Sequence, residues 1–401
     1  MFNSSCSDAL WASALLYSSL PERTMLGPDD LHPESVSKAI VNKIESAFML
    51  NYIISAGFHR CHIALEYEPT MSDKTTMTSE PVFPEVEMNL VTPKAPVTGT
   101  VVKSEVCLKG GRKSASFVRH VEIDISGTPL VGKCRAGQSF GVVTPGVDAK
   151  GKPHKVRLYS LASPTCGEDG KGTVISTTPK RMIDEYTPQK NGDDEERHDL
   201  FLGVCSNYLC DLNVGDKVQL TGPSGKRFLL PVDHNKHDYI FLATGTGIAP
   251  YRAMCKDLFE NPDGPTTSQV HVVMGTPYTT DLLYDDYFTE LVETHDNFHY
   301  HQAISRERQE DGSKGLYVGQ MIDKKYDDVF GPILTSDRGL MYLCGLLGMQ
   351  FGIYQLFAER GITDAYMTIK DELKDIPCSE WNREQMRRYI KPTHRMMVEV
   401  Y

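Results

Sequence analysis

No apolar run in the 401-residue chain approaches the roughly 20 residues of a membrane span; the longest candidates, 9–16 and 47–57, are broken by polar side chains. None of the ten cysteines forms a Cys-x-x-Cys pair, so neither an iron–sulfur cluster nor a zinc cage is expected, and no metal. Scattered cysteines in a chain this long fit a reducing compartment. Internal repeats are lacking, and so are basic motifs interleaved with aromatics, which disfavours nucleic acid as a partner. The N-terminus is Ser-rich but holds Asp8 and Glu22 and little arginine, a poor secretory or transit signal.

What is present is an ordinary globular composition, 40% apolar and 24% charged, long enough for roughly two to three domains. The charge is unevenly placed. Residues 94–157 hold twelve Lys and Arg against Glu105, Glu122, Asp124 and Asp148. That segment is therefore +8 and the remainder −19, in a chain whose net is −11. A basic face on an acidic protein steers acidic partners, or merely aids solubility.

Val36, Ile40, Ile44 and Phe48 recur every four residues with Val41 beside them, so 33–56 reads as an amphipathic helix stopped by Gly57. Residues 1–65 are thus a small helical N-terminal extension, and 66–88 a linker rich in Pro, Ser, Thr and acids. From 89 to 232, β-rich runs at 100–106, 117–125, 139–143, 156–161 and 217–221 predict an antiparallel barrel or sandwich. From 233 to 401, strands at 269–274 and 340–344 alternate with helices at 281–294 and 349–360, the pattern of an α/β domain with a parallel sheet.

The sharpest local feature is Phe241-Leu-Ala-Thr-Gly-Thr-Gly-Ile-Ala-Pro-Tyr-Arg252. Residues 239–243 read as a buried strand. Gly245 and Gly247 allow a sharp turn and a close approach to a ligand, and Pro250 sits where a helix can begin. Free amides and the positive end of a helix dipole then face an anion. The spacing is Gly-x-Gly-x-x-Pro, so the standard Gly-x-Gly-x-x-Gly fingerprint is not met. A second set, Arg157-Leu158-Tyr159-Ser160 on a strand and Gly203-Val204-Cys205-Ser206 opening a helix, supplies the cation, hydroxyls and amides that a pyrophosphate needs. Ser305 and Arg306 follow a strand over 300–304, with Tyr317 available to stack on an adenine. A 2′-phosphate needs a cation and hydroxyl donors where a bare ribose meets a carboxylate, so this set favours NADP over NAD. Singly, each has a plainer reading: a strand-to-helix loop, an arginine paired with a surface acid, a buried thiol at Cys344, a frayed end at Tyr401.

Taken in order, with Thr221-Gly-Pro-Ser-Gly-Lys226, Cys344-Gly345 and the terminal Val398-Glu-Val-Tyr401, the chain from about 92 to 401 resembles the plastid- and cyanobacterial-type ferredoxin–NADP(+) reductases. The resemblance implies FAD on a β-barrel domain, NADP(H) on the α/β domain, and hydride passing between the two rings. It further implies an acidic one-electron carrier, ferredoxin or flavodoxin, drawn by the basic segment 94–157. FAD contacts would come from Arg157, Leu158, Tyr159, Ser160, Gly203, Val204, Cys205, Ser206 and Tyr186, with Tyr401 stacked on the flavin until nicotinamide displaces it. NADP contacts would come from Lys180, Thr246, Gly247, Ser305, Arg306, Tyr317, Gly345 and Leu346. Ser160, Cys344, Glu399 and Tyr401 would shape the hydride-transfer pocket as its catalytic residues.

Three departures from the family pattern stand out. Thr178-Pro179 replaces Cys-Val, Leu347 replaces a cation after Cys-Gly-Leu, and Gly315 replaces a Lys ahead of the stacking Tyr. They leave the reaction class intact and bear on the strength of NADP preference. The acidic run 193–196 marks a loop insertion. Two other readings compete. A reductase feeding a dedicated oxygenase or other redox partner shares the fold, although no flavodoxin-like pattern precedes the barrel. A flavin-bearing scaffold docked through its N-terminal extension is the other, and the intact set Ser160, Cys344, Glu399 and Tyr401 argues against it. The expected setting is the bacterial cytoplasm or plastid stroma, soluble, with association to a membrane or complex through the extension.

Overall fold

In a computed structural model of the chain, the described residues are 80–110, 117–185, 200–309 and 311–401. The expected helix at 33–56, Tyr186 and the acidic run 193–196 lie outside them.

The strands of the first domain are β1 (Val97–Val106), β2 (Arg119–Asp124), β3 (Ser139–Val143), β4 (Arg157–Ser160), β5 (Val174–Thr177), β6 (Ile183–Glu185), β7 (Leu200–Leu202) and β8 (Lys217–Ser224). Helix α1 (Val204–Asp211) lies between β7 and β8. Six of these strands form one antiparallel sheet, ordered β4-β3-β8-β1-β2-β5, and β6 pairs with β7. The sheet closes on itself. Ala162, just past β4, donates its N–H to the Ser176 carbonyl of β5 at 2.9 Å, and Thr177 Oγ1 donates to the Ser160 carbonyl at 2.9 Å. Closure leaves few unpaired strand edges and encloses Val101, Val121, Ile123, Phe140, Val142, Val218 and Leu220. Each fully buried large apolar side chain contributes about 1.5–3 kcal/mol. All five expected β-runs appear. The β5 strand was not anticipated, because four residues behind a glycine-rich turn carry too little periodicity to read.

The second domain contains β9 (Asp238–Thr244), α2 (Ala249–Phe259), β10 (Val270–Thr276), α3 (Asp285–Thr294), β11 (Phe298–Ile304), α4 (Val318–Lys324), β12 (Gly339–Gly345) and α5 (Leu347–Arg360). A short antiparallel pair, β13 (Met367–Ile369) and β14 (Ile390–Pro392), brackets α6 (Arg383–Tyr389) in the chain, and β15 (Met396–Val400) is the last strand. The sheet order is β11-β10-β9-β12-β15, all parallel. Strand β9 reads as one continuous apolar run because both its faces are covered. Tyr239, Phe241 and Ala243 enter one core, while Ile240 and Leu242 enter the other. The order reverses between β9 and β12, and such a switch point opens a crevice at the carboxyl ends of the strands. Among the described residues no helix is long and apolar enough to cross a membrane.

Residues 80–88 have no regular structure but are packed down. Val232 donates to the Val82 carbonyl at 2.8 Å, Phe83 packs on the core beside α2, and Glu87 pairs with Lys133 at 2.5 Å.

Candidate active site

Both glycine turns of the second domain lie at this switch point. After β9 the chain turns through Gly245 (φ +55°) and a single 3₁₀ turn, and α2 starts with Pro250 in its first turn. After β12 it turns through Gly345 (φ +135°) into α5. The two turns touch. A Cβ on Gly247 would lie 2.1 Å from the Cys344 carbonyl oxygen, and one on Gly345 would lie 2.1 Å from Thr244 Oγ1. Gly247 is therefore demanded by the neighbouring strand, whereas the sequence suggested a ligand. Thr244, which sequence reasoning passed over, accepts the Leu346 N–H at 2.7 Å and so fixes the second turn. Its only sequence signal was its place beside the first glycine.

The last strand brings the expected catalytic residues together. Parallel pairing of β12 with β15 sets Cys344 opposite Glu399 and Gly345 opposite Val400. Cys344 is 2% exposed, and burial, reinforced by Glu399, pushes its thiol well above the ordinary range. Burial also raises the Glu399 carboxyl from 4.5 to about 7. Tyr401 is pinned through its backbone, donating to the Gly345 carbonyl at 2.9 Å and accepting from the Leu347 N–H at 3.2 Å. The residue is 65% exposed, and its hydroxyl meets Thr246 Oγ1 at 2.8 Å. The aromatic end of the chain is thus held against the glycine turn and is not frayed.

The barrel reaches the same place through β3. Ser139 pairs with Ser160 of β4 on one side and with Ser224 of β8 on the other. The next residue, Gly225, would carry a Cβ only 3.8 Å from Glu399 Oε1. Beside Ser160 on β4, Tyr159 is half-buried against the barrel core, while Arg157 and Leu158 are exposed, Leu158 by 60%. Arg157 has no ion pair among the described residues. Among the described residues no side chain caps helix α1, which follows Gly203, so its first amides have no capping partner there. Val204 is exposed, Cys205 buried and Ser206 half-buried. Gly203 is required here, since a Cβ would lie 2.5 Å from Ser206 Oγ and 2.8 Å from Met182 Cβ. An unpaired cation, an uncapped helix start and bare apolar surface at Leu158 and Val204 fit an anionic dinucleotide bearing a flat apolar ring, as FAD does.

Further along the α/β sheet, Ser305 and Arg306 leave β11 with their N–H groups held by the Thr276 and Pro277 carbonyls. Arg306 is exposed and has no ion pair among the described residues, and Tyr317 is 69% exposed. Leu316 donates to the Ile304 carbonyl at 2.9 Å, which lays the segment leading into Tyr317 along the end of β11. Gly315 has a structural cause. A Cβ there would lie within 2.5–2.7 Å of the Ile304, Ser305 and Glu307 carbonyl oxygens, so no lysine fits this turn. In Lys180-Arg181 the roles divide. Arg181 is tied to Asn207 and Asp211 of α1, and Lys180 is exposed with no such partner among the described residues.

The fold and these sites define a two-domain reductase of the flavin and nicotinamide-dinucleotide class. The Oxidoreductase NAD-binding domain family matches residues 241–354. The chain is 38% identical over 334 residues to the ferredoxin–NADP reductase of Picosynechococcus sp., covering 82% of this chain and 74% of that protein. Against the chloroplastic embryo isozyme of rice it is 38% identical over 274 residues, 67% of this chain and 69% of that one. A solved ferredoxin–NADP+ reductase from Plasmodium falciparum with 2′P-AMP superposes with a TM-score of 0.55 at 23% identity, covering 78% of this chain and 99% of that one. The chain belongs to the ferredoxin–NADP reductase family.

Proposed function

We propose that the chain exchanges electrons between NADP(H) and ferredoxin through FAD. When bound, FAD supplies the conversion between hydride and single-electron transfer; the chain's residues position it and its partners. Arg157 and the first amides of α1 hold its pyrophosphate. Tyr159 packs on one face of the ring and Tyr401 covers the other. Ser160, Cys344 and Glu399 border the transfer pocket, and Glu399 can hold a proton there near neutral pH. Arg306 and Ser305 bind the 2′-phosphate, Tyr317 covers the adenine, and Thr246, Gly247, Gly345, Leu346 and Lys180 follow the dinucleotide. The observation that carries this reading is the meeting of the two domains at Glu399: β15 sets it opposite Cys344, and Gly225 brings the barrel beside its carboxyl.

The carrier docks on the barrel's basic side. Lys103, Lys109 and Lys133 are already ion-paired. Lys150, Lys152, Lys155 and Arg157, in and after the β3–β4 connection, form no side-chain ion pair among the described residues, with Asp148 held instead by the Lys150 and Lys152 backbone N–H groups, so the steering charge gathers there. The scattered thiols support the plastid stroma or the bacterial cytoplasm as its setting. The test is anaerobic stopped-flow reduction of the purified protein by NADPH and NADH, followed by a ferredoxin-dependent assay across ionic strength. Fast bleaching by NADPH, slow bleaching by NADH and a salt-sensitive ferredoxin step are expected. Equal rates with both nucleotides would overturn the roles of Arg306 and Tyr317, and a protein without flavin would overturn the enzyme.

A further inference from the structure

The two half-sites sit on different domains, so the distance between the rings depends on what fixes one domain against the other. Arg252, on α2 just past the glycine turn, reaches into the barrel. Its guanidinium donates to the Ala162 carbonyl at 2.7 Å and to both Glu168 carboxylate oxygens at 2.5 and 3.1 Å. Ala162 lies two residues beyond Ser160, and its N–H is held by β5. Glu168 also accepts from Ser176 Oγ at 2.6 Å. One arginine thus ties the strand that carries Ser160 to the helix that follows Gly245–Gly247. Burial alone would raise the Glu168 carboxyl, but its bonds to Arg252 and Ser176 more than offset that and hold it below the ordinary range.

Tyr284, ahead of α3, closes the arrangement. Its ring centroid lies 5.2 Å from the guanidinium, and its hydroxyl meets His120 Nδ1 at 2.8 Å and Thr178 Oγ1 at 2.5 Å, both on the barrel. Its φ of +56° is in the left-handed region, which a bulky residue adopts only where its surroundings hold it. A buried ion pair is weak evidence for stability, because desolvation offsets its attraction. Orientation is what it supplies.

We propose that Arg252, Glu168, Tyr284 and Thr178 form a clasp that sets the flavin–nicotinamide distance, acting as positioning residues for hydride transfer without touching either cofactor. The proposal rests on the function given above. Thr178 is this chain's own contribution: it stands where the family resemblance expects cysteine, and a hydroxyl is the stronger hydrogen-bond partner for a phenol.

The test uses the holoenzyme with Tyr284→Phe, the paired substitution Arg252→Met/Glu168→Leu, which leaves no orphaned charge, and Arg252→Lys as conservative control. Binding of 2′-phospho-AMP reads the adenosine half-site alone; single-turnover reduction by NADPH reads transfer; calorimetry reads domain coupling. We expect 2′-phospho-AMP affinity and flavin content to stay within about twofold, and transfer to fall about ten- to hundredfold. The unfolding transitions of the two domains should separate further than in wild type, and Arg252→Lys should restore part of the rate. Unchanged transfer and calorimetry in both variants would overturn the clasp, as would a loss of 2′-phospho-AMP affinity equal to the loss of rate. If wild-type holoenzyme is not reduced by NADPH at all, the functional reading fails, and the calorimetric comparison alone settles the clasp.

Discussion

Replacing Glu399 by Gln isolates the one carboxyl that both domains border. In the folded protein burial raises this group from 4.5 to about 7. In the unfolded chain a glutamate releases its proton near about 4.3. Between those values the folded state binds more protons, so stability falls as pH rises, starting near the unfolded pKa and levelling off above the folded one. At 1.36 kcal/mol per pH unit, the gap caps the cost of ionising Glu399 in place at about 4 kcal/mol, of which about 2.5 kcal/mol falls between pH 5 and 8. Glutamine keeps the shape and has no proton to lose. Denaturant unfolding of wild type and Glu399→Gln at fixed salt, at half-unit steps over that range, measures the difference directly. The variant should gain on wild type by about 2.5 kcal/mol from pH 5 to 8. Parallel curves would refute the reasoning, because they would mean that Glu399 is solvated in the folded protein.

Three further outcomes follow from geometry alone. Arg306→Gln removes the exposed cation at the end of β11; loss of a charged hydrogen bond worth about 1.5–3 kcal/mol should raise KM for NADPH about tenfold or more and leave NADH unchanged, as steady-state kinetics with both nucleotides would show. Gly247→Ala drives a methyl group into the Cys344 carbonyl and should cost about 1–3 kcal/mol of stability, whereas Gly352→Ala, exposed on α5 with nothing within 4 Å, should stabilise by about 0.5–1 kcal/mol in the same denaturant assay. Neutralising Lys150, Lys152 and Lys155 together should raise KM for ferredoxin and flatten its salt dependence, while reduction of a small neutral dye by NADPH stays unchanged.

The parts of this molecule that could be read in advance are those whose cause is local. Strand β9 announces itself because burial on both faces makes five consecutive residues apolar, and Gly245 after it because few other residues tolerate such a turn. Ser305, Arg306 and Tyr317 were legible for a similar reason: they lie within thirteen positions of one another at the end of a strand. The purpose of Gly247 was not legible, since the carbonyl that requires it belongs to β12, a strand whose neighbour only the sheet order reveals. Gly315 looked like a weakened cofactor contact for the same reason; three carbonyl oxygens crowding its Cα give it a backbone cause instead.

The clasp marks where reading by motif stops. Arg252 ends the most conspicuous stretch of the sequence, yet its partner Glu168 is 84 positions away in a loop of Gly, Asp and Lys that carries no pattern. Tyr284 and Thr178 are 106 positions apart, and neither residue type signals a role by itself. Residues that hold a cofactor must match the cofactor's chemistry, and that chemistry leaves a recognisable set of side chains close together. Residues that hold two domains at a set distance need match only each other, so any complementary pair serves. Such pairs become visible only once the barrel and the parallel sheet are in place, and the dependence of hydride transfer on distance is what would make them functional.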